Sequence, residues 1–303
     1  MTRRPIKNMV ASVHQRLLEI AKEKNRPFQD VLQLYALERW LFRLSQSPHR
    51  DRFVLKGALL LVAWKTSSTR PTRDIDLLGR VSNDLESVRS LIADISQTSV
   101  EDDGLTFDPA NVTTERIAED ADYEGVRAKF QGRLGNSRIA MQVDIGFSDV
   151  ITPGPTTTSY PTFLEQPAAE LLAYNRETAI AEKFEAMVKL GELNSRMKDF
   201  FDVWLLADTF PFEGRMLAAA VQATFSHRQT PIEVEPICFS EEFATNVIKT
   251  TQWNAFVRRG RLEAVPAFSE VVRCVRVFLQ SLAQSLSNHE DFVLNWRPGG
   301  PWE

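Results

Sequence analysis

Apolar residues recur at helical spacing in two stretches before residue 50. Val10, Val13, Leu17 and Ala21 predict a helix over 8–24, and a broad apolar face predicts a second helix over 28–45. The pair Ser47-Pro48 ends the second helix, and a compact apolar stretch over 53–64 follows, interrupted only by Lys56 and Gly57. The chain is therefore expected to begin with helices that lead into a buried segment.

The middle of the chain changes to the two-residue period of β-strands. The clearest alternation runs over 137–147, where Ile139, Met141, Val143 and Ile145 share one side. Shorter stretches predict further strands over 74–78, 111–117 and 125–131, with a helix over 84–96. A stretch rich in Pro and Thr over 151–161 is typical of a boundary.

The remainder returns to the helical period and ends in an irregular tail over 295–301. Helices are predicted over 177–190, 196–208, 213–225, 240–256 and 266–286. The fold class is α/β (α+β), with a helical N-terminal segment over 1–50, a mixed core over 51–165 and a helical C-terminal lobe over 166–303.

Composition and charge narrow the possible functions. The 303 residues are 43% hydrophobic and carry a net charge of -4, enough apolar content for a sizeable core. Residues 1–80 hold 16 Lys and Arg against 7 Asp and Glu, whereas residues 81–125 hold 2 against 12. The basic half indicates a polyanionic partner, or else arginines that solvate helix faces and pair with acidic residues; charge alone leaves both open.

Several classes of site and location are disfavoured. Cys238 and Cys274 lie far apart in the sequence, and the four histidines are scattered, which argues against zinc or histidine-based metal chemistry. The basic N-terminus leads into no apolar signal core, and no run of 18 apolar residues occurs. We expect a cytoplasmic protein with no membrane association.

Two aspartates provide the main candidate chemistry. Asp74 and Asp76 stand two apart on a predicted strand, so both carboxylates project from one face. Adjacent carboxylates repel each other unless a cation lies between them, and oxygen ligands without nearby His or Cys favour Mg²⁺ or Mn²⁺. An Asp-x-Asp pair alone is common and is more often an exposed strand end.

Three neighbouring features strengthen the metal interpretation. Lys56-Gly57-Ala58 opens an apolar helix, and a glycine there lets backbone N–H groups approach phosphates. Arg70-Pro71-Thr72-Arg73 leads directly into the aspartates with two cations. Asp144 supplies a third carboxylate from another predicted strand. This ordered set is the pattern of the polymerase-β-type nucleotidyltransferase core.

A second group of charged residues lies downstream. Glu182-Lys183 and Lys189 share one predicted helix, and the next carries Arg196, Lys198, Asp199 and Asp202. Arg196, Asp199 and Asp202 recur every three residues on one face. Without the core motifs, a solvated face stabilised by local ion pairs would be the preferred interpretation.

These motifs together resemble the AbiEii/AbiGii nucleotidyltransferase toxins of type IV toxin–antitoxin and abortive-infection systems, related to mycobacterial tRNA-modifying toxins. The resemblance covers most of residues 8–210, including 12–18, 35–39, 52–58, 70–77, 143–149 and the motif Arg196-x-Lys198-Asp199-x-x-Asp202. Many relatives have Lys-Gly-Gly where this chain has Lys56-Gly57-Ala58, so the phosphate contact here is expected to be adjusted.

The resemblance implies an NTP-consuming enzyme with a polymerase-β-like core, an RNA acceptor such as a tRNA 3′ end, and an antitoxin encoded nearby. It implies that Mg²⁺ or Mn²⁺ is held by Asp74, Asp76 and Asp144, with Lys189 and Asp199 as further catalytic residues and Asp199 orienting a cation. Nucleotide contacts are expected from Lys56, Gly57, Ala58, Arg70, Thr72, Arg73, Lys183, Arg196 and Lys198. Two alternatives stay open: the same fold modifying a protein or small molecule by nucleotidyl or phosphoryl transfer, and a non-catalytic nucleotide-binding module.

The basic N-terminal half favours the RNA acceptor. Setting aside Lys56, Arg70 and Arg73 still leaves 13 basic against 7 acidic residues in 1–80. We expect Arg3, Arg4, Lys7, Arg50 and Arg52 to line an RNA path. The alternative is that these cations bind the acidic stretch 101–124 or an acidic antitoxin.

Overall fold

The chain divides into two compact units. The computed structural model describes residues 8–66, 70–120 and 123–303. The first unit contains the described residues of Met1–Ala63, Thr72–Ser148 and Thr157–Ala173, and the second those of Trp64–Pro71, Asp149–Thr156 and Tyr174–Glu303. The domain limits predicted from the sequence remain predictions.

The first unit combines helices with a mixed sheet. Its elements are α1 (Met9–Glu23), α2 (Phe28–Gln46), β1 (Phe53–Lys56), α3 (Leu59–Ala63), β2 (Asp74–Gly79), α4 (Leu85–Gln97), β3 (Leu105–Asp120), β4 (Tyr123–Leu134), β5 (Ser137–Gly146), β6 (Thr156–Tyr160) and β7 (Ala169–Ala173). Among the described residues, seven strands form this sheet in the order β3-β4-β5-β2-β1-β7-β6. β2 runs parallel to β5 and antiparallel to β1, while β4 is antiparallel to both β3 and β5.

The central strands divide their side chains between an apolar and a polar face. Ile75, Val143 and Ile145 are fully buried, and α2 packs against β5 while the Trp40 ring lies 5.9 Å from that of Phe130 on β4. Because side chains alternate along a strand, covering this face with α2 leaves Asp74 and Asp76 on the opposite face. The helix packing therefore decides where the candidate carboxylates point.

A buried ionic network ties α2 to the loop before β3. Asp103 accepts hydrogen bonds from Arg39 and, at both oxygens, from Arg43. Glu38, only 1% exposed, accepts the backbone N–H of Phe163 at 2.8 Å and pairs with Arg39. Burial raises the pKa of Glu38 from 4.5 to about 7, although the Phe163 N–H and Arg39 act against that rise.

We expect Glu38→Gln to remove a pH dependence of stability. The folded-state pKa of Glu38 lies above its unfolded value, so the folded protein loses stability as pH rises from about 4.5 to 7, and the slope ends above 7. The wild type should be less stable above pH 7 than near pH 4.5 by on the order of 1–3 kcal/mol, and the variant should lack this difference. Urea unfolding between pH 5 and 8 measures this. The exposed Glu23→Gln is the control, and a slope unchanged by Glu38→Gln would contradict the assignment.

The second unit is mainly helical. Its elements are α5 (Arg176–Leu190), α6 (Met197–Thr209), β8 (Phe212–Glu213), α7 (Gly214–His227), α8 (Glu241–Thr245), α9 (Val247–Gly260), α10 (Phe268–Ser287) and β9 (Asn295–Trp296). α10 packs against α6, α7, α8 and α9, and its buried side chains form the centre of the core. Aromatic rings fill this core. The ring centroid of Phe268 lies 5.4–5.9 Å from those of Phe200, Phe243 and Trp253.

Most predicted elements are confirmed, and the differences have local causes. β1, β6 and β7 were not predicted as strands, because β1 is buried along its whole length and shows no alternation, and β6 and β7 are only five residues long. The helix predicted over 240–256 is wrong at one point: it breaks into α8 and α9 at Asn246, whose side chain caps the N–H groups of Ile248 and Lys249. The tail predicted as irregular contains β9, which pairs with β8.

Within the part of the chain that the structure describes, no helix combines the length and apolar character needed to cross a membrane.

Candidate functional site

One row of charged residues crosses four neighbouring strands of the sheet. In strand register, Lys56 on β1 lies opposite Asp76 on β2, and Asp76 lies opposite Asp144 on β5. Asp144 in turn lies opposite Arg127 on β4. The row therefore carries two adjacent carboxylates between two cations.

Asp74 adds a third carboxylate to the same polar face. It lies two residues before Asp76 on β2, in register with Gln142 on β5. Asp74, Asp76 and Asp144 are all half-buried, whereas Ile75 between the first two is fully buried. Side chains two apart on a strand share a face, so the three aspartates belong to one surface.

Arg127 binds both oxygens of Asp144. Its Nε and Nη2 atoms each donate a hydrogen bond to that carboxylate at 2.8 Å, and Gln142 Nε2 donates another at 3.3 Å. Hydrogen bonding to Asp144 raises the pKa of the Arg127 guanidinium. Two parallel bonds between a guanidinium and a carboxylate are among the stronger polar contacts, so this pair defines one end of the site.

Gly57 brings the backbone close to Asp76. Its φ of +75° lies in a region that disfavours side chains, and a Cβ atom added there would lie 1.9 Å from Asp76 Oδ2. Only glycine fits at this position. Ala58 is buried, and α3 begins at Leu59. The observed helix therefore starts one residue after the Lys56-Gly57-Ala58 motif that was predicted to open it.

The segment before β2 divides between the two units. Thr72 and Arg73 belong to the first unit, where the Thr72 hydroxyl bonds the backbone of Asp74. The Arg73 side chain is 79% exposed and lies 3.9 Å from Asp30. Arg70 belongs to the second unit and pairs with Asp202 there. The predicted phosphate contacts of Thr72, Arg73 and Arg70 remain predictions.

The three carboxylates suit a hard divalent cation by their chemistry, but the Asp144 carboxylate is already hydrogen-bonded to Arg127. Among the described residues, no three His, Cys, Asp or Glu side chains are arranged to hold a metal ion. Oxygen ligands from Asp74, Asp76 and Asp144 are the type that Mg²⁺ and Mn²⁺ prefer. The donor set therefore fits such an ion once Asp144 is released from Arg127.

A second charged cluster lies on α5 and α6 of the second unit. Asp202, 1% exposed, binds Arg70 at 2.8 Å and Lys183 at 2.9 Å. Asp199 is fully buried and lies 3.4 Å from Lys183 and 2.6 Å from Arg196. The structure thus brings together most of the charged residues that the sequence placed on this helix face.

The pKa of Asp202 reflects the two cations that bind its carboxylate. Burial alone would raise that pKa, but the charges of Arg70 and Lys183 outweigh burial and lower it from 3.8 to about 2. Burial also disfavours the charged Lys183, yet Asp202 and Asp199 raise the pKa of its ammonium group. Both groups are therefore ionised in the folded protein, and the predicted part of Lys183 in nucleotide binding remains a prediction.

The remaining predicted cations lie at the surface or outside the described residues. Lys189, Lys198, Arg50 and Arg52 are exposed. Arg3, Arg4 and Lys7 lie outside the described residues, as does part of the acidic stretch 101–124.

Arg127 is the residue that sequence reasoning missed. The strand 125–131 was predicted, and its alternation of buried Val126, Ala128 and Phe130 with polar Arg127 and Lys129 was visible. The pattern showed that Arg127 shares a face with Lys129. The signal that could have found it is the two-residue loop Gly135-Asn136, because a tight hairpin there pairs Leu134 with Ser137 and in the same register sets Arg127 opposite Asp144.

Comparison with known proteins identifies a family. The profile of the family described as nucleotidyl transferase AbiEii toxin, type IV toxin–antitoxin system, matches residues 39–274. A search of curated proteins gave no match.

Two solved structures are similar to this chain at low identity. MenT4, a nucleotidyltransferase toxin from Mycobacterium tuberculosis, is 15% identical with a TM-score of 0.47, covering 93% of this chain and 99% of its own. JHP933 from Helicobacter pylori is 14% identical with a TM-score of 0.45, covering 83% of this chain and 89% of its own.

Proposed function

Because this chain belongs to the AbiEii nucleotidyl transferase toxin family of type IV toxin–antitoxin systems, we propose that it transfers a nucleotide from an NTP to RNA. The acceptor we propose is the 3′ end of a tRNA, and the reaction depends on Mg²⁺ or Mn²⁺. The observation that carries this proposal is the register of Asp76 against Asp144, with Asp74 on the same face. A cognate antitoxin encoded nearby is the proposed protein partner.

In this proposal Asp74, Asp76 and Asp144 hold the metal. A divalent ion held there would polarise phosphate oxygens and lower the pKa of the acceptor hydroxyl, whose oxygen replaces pyrophosphate on the α-phosphorus. Lys56 and Arg73 supply positive charge toward the triphosphate, and Gly57 lets the backbone pass close to the Asp76 carboxylate. The protein's own part is positioning and electrostatic stabilisation, as is usual for transfer at phosphorus.

One incubation separates the proposal from its two alternatives. The protein is mixed with Mg²⁺, each labelled NTP in turn, and total RNA. Label in tRNA supports the proposal, whereas label in protein or a small molecule supports the same fold with another acceptor. Nucleotide that binds without turnover would indicate a binding module and overturn the enzymatic assignment.

Arg196 and Lys189 are expected to assist NTP use. A lost charge-assisted phosphate contact costs about 1.5–3 kcal/mol, so Lys189→Ala and Arg196→Ala should each raise the KM for NTP by about tenfold or more. Steady-state kinetics against NTP concentration test this, with the exposed Arg215→Ala as the matched control. Kinetics equal to those of the control would exclude both residues from nucleotide binding, and Arg196 would then serve in its ion pair with Asp199.

RNA binding is expected to be strongly salt-dependent. Neutralising phosphates releases condensed counterions, so the slope of log affinity against log salt should be several units and should shrink when Arg3, Arg4, Lys7, Arg50 and Arg52 become Ser. The control variant carries five Ser substitutions at exposed arginines of the second unit, at Arg215, Arg258, Arg259, Arg261 and Arg273. A flat salt dependence, or equal slopes in the wild type and the first variant, would exclude this path.

A further inference from the structure

Asp144 has a cation partner on the neighbouring strand β4. Both of its oxygens accept hydrogen bonds from Arg127 at 2.8 Å, and its side chain is only 13% exposed. A guanidinium that bonds both oxygens leaves a metal ion only their remaining lone pairs, and its positive charge repels the metal. The arrangement therefore makes Arg127 and a divalent metal competitors for Asp144.

The strand pairing fixes this competition in place. Arg127 and Asp144 are directly opposed on antiparallel strands, and Asp144 is directly opposed to Asp76 on the parallel side. Arg127 is thus held at the edge of the carboxylate group, where the charge of Asp74 also acts on it. Its side chain is 31% exposed, so the guanidinium has room to turn away without unpacking the core on the opposite face.

We propose that Arg127 is a resident counter-ion that occupies Asp144 until a metal–nucleotide complex displaces it. The inference rests on the proposed function, because it takes Asp144 to be a metal ligand. It assigns Arg127 as a positioning residue that keeps the carboxylates neutralised and makes binding of metal alone weak.

The nucleotide supplies the reason for displacement. A bare divalent ion brings positive charge toward Arg127 and must also break two charge-assisted hydrogen bonds. A metal bound to a triphosphate arrives with several negative oxygens, and these give the released guanidinium a new partner of the kind arginine binds well. Metal and nucleotide are therefore expected to bind cooperatively, with Arg127 as the group that couples them.

The test measures binding of Mn²⁺ alone by the loss of its free electron paramagnetic resonance signal. Arg127→Gln removes the competing cation, so the variant should bind Mn²⁺ about tenfold tighter than wild type, an amount in line with losing one charged hydrogen-bonded pair. Arg127→Lys keeps the charge but not the two-pronged geometry and should fall between the two. Thermal unfolding verifies that each variant is folded.

Lys129→Gln is the matched control. Lys129 lies two residues along β4 on the same face, and its partner is the exposed Glu115 at 2.6 Å. The substitution removes the same charge near the site without freeing Asp144, so it should change Mn²⁺ affinity by less than about twofold. The inference would be overturned if Arg127→Gln bound Mn²⁺ no more tightly than Lys129→Gln does, or no more tightly than wild type does.

A second measurement separates this inference from the proposed function. Mn²⁺ binding is repeated with a non-hydrolysable NTP analogue, for which wild type should show a larger gain in affinity than Arg127→Gln. The Asp76→Asn variant should lose Mn²⁺ binding in both conditions if the metal site is correct. If Asp76→Asn loses Mn²⁺ binding but Arg127→Gln binds Mn²⁺ as wild type does, only the role of Arg127 is excluded. If Asp76→Asn binds Mn²⁺ as wild type does, both the metal site and the role of Arg127 are excluded.

Discussion

Asp76→Asn should lower the rate of nucleotide transfer by about 10³-fold or more while leaving the protein folded. Removing one carboxylate from a divalent metal site removes charge that holds the cation, and the several kcal/mol that a metal contributes to transition-state stabilisation correspond to a loss of that size. Asp76 is the central member of the row, adjacent to Lys56 on one side and Asp144 on the other. Transfer of labelled nucleotide to RNA is the measurement.

The same result is expected for Asp74→Asn and Asp144→Asn, but their stabilities should differ. Asp74→Asn relieves repulsion between neighbouring carboxylates, so its melting temperature should equal or exceed that of wild type. Asp76→Asn also removes the carboxylate opposite the buried Lys56, so its melting temperature should be the lower of the two. Asp144→Asn also breaks the pair with Arg127, and because Arg127 is partly exposed the cost should be about 1 kcal/mol or less. The exposed Asp51→Asn serves as a control with normal activity, and near-wild-type turnover by any of the three would remove that residue from the metal site.

Asp202→Asn should destabilise the second unit by about 3–5 kcal/mol. The substitution leaves Lys183 and Arg70, whose side chains are 16% and 11% exposed, without the carboxylate that both bind. Removing one member of a buried ion pair is costly because the remaining charges stay desolvated. Denaturant unfolding at pH 7 measures the loss.

The control and the pH dependence make this prediction specific. Asp208→Asn changes an exposed residue on the same helix and should alter stability by less than about 0.5 kcal/mol. Because the folded-state pKa of Asp202 is about 2, below its ordinary 3.8, its stabilisation is present above about pH 4 and is lost as pH falls toward 2. Asp202→Asn should therefore lack this part of the stability loss at low pH. Equal free energies of unfolding for Asp202→Asn and Asp208→Asn would contradict the role of Asp202 as a buried partner of Arg70 and Lys183.

The sequence alone determined the elements with strong periodicity. β5 alternates cleanly, so its strand and the placement of Asp144 among its polar positions could be predicted without any partner strand. The Asp-x-Asp spacing likewise put Asp74 and Asp76 on one face, because that relation depends only on the strand period. Family membership also followed from ordered motifs, and the profile match over 39–274 confirms it.

Only the tertiary structure decided which charges meet. Strand order places β2 between β1 and β5, and this order opposes Asp76 to Lys56 and Asp144 although the three are far apart in sequence. Pairing of β4 with β5 across the loop at 135–136 placed the Arg127 guanidinium against the Asp144 carboxylate. The sequence placed Arg70 beside the aspartates, and only packing within the second unit showed that it pairs with Asp202. Periodicity fixes the face on which a side chain lies, whereas its partners depend on contacts between distant segments, which the local sequence does not encode.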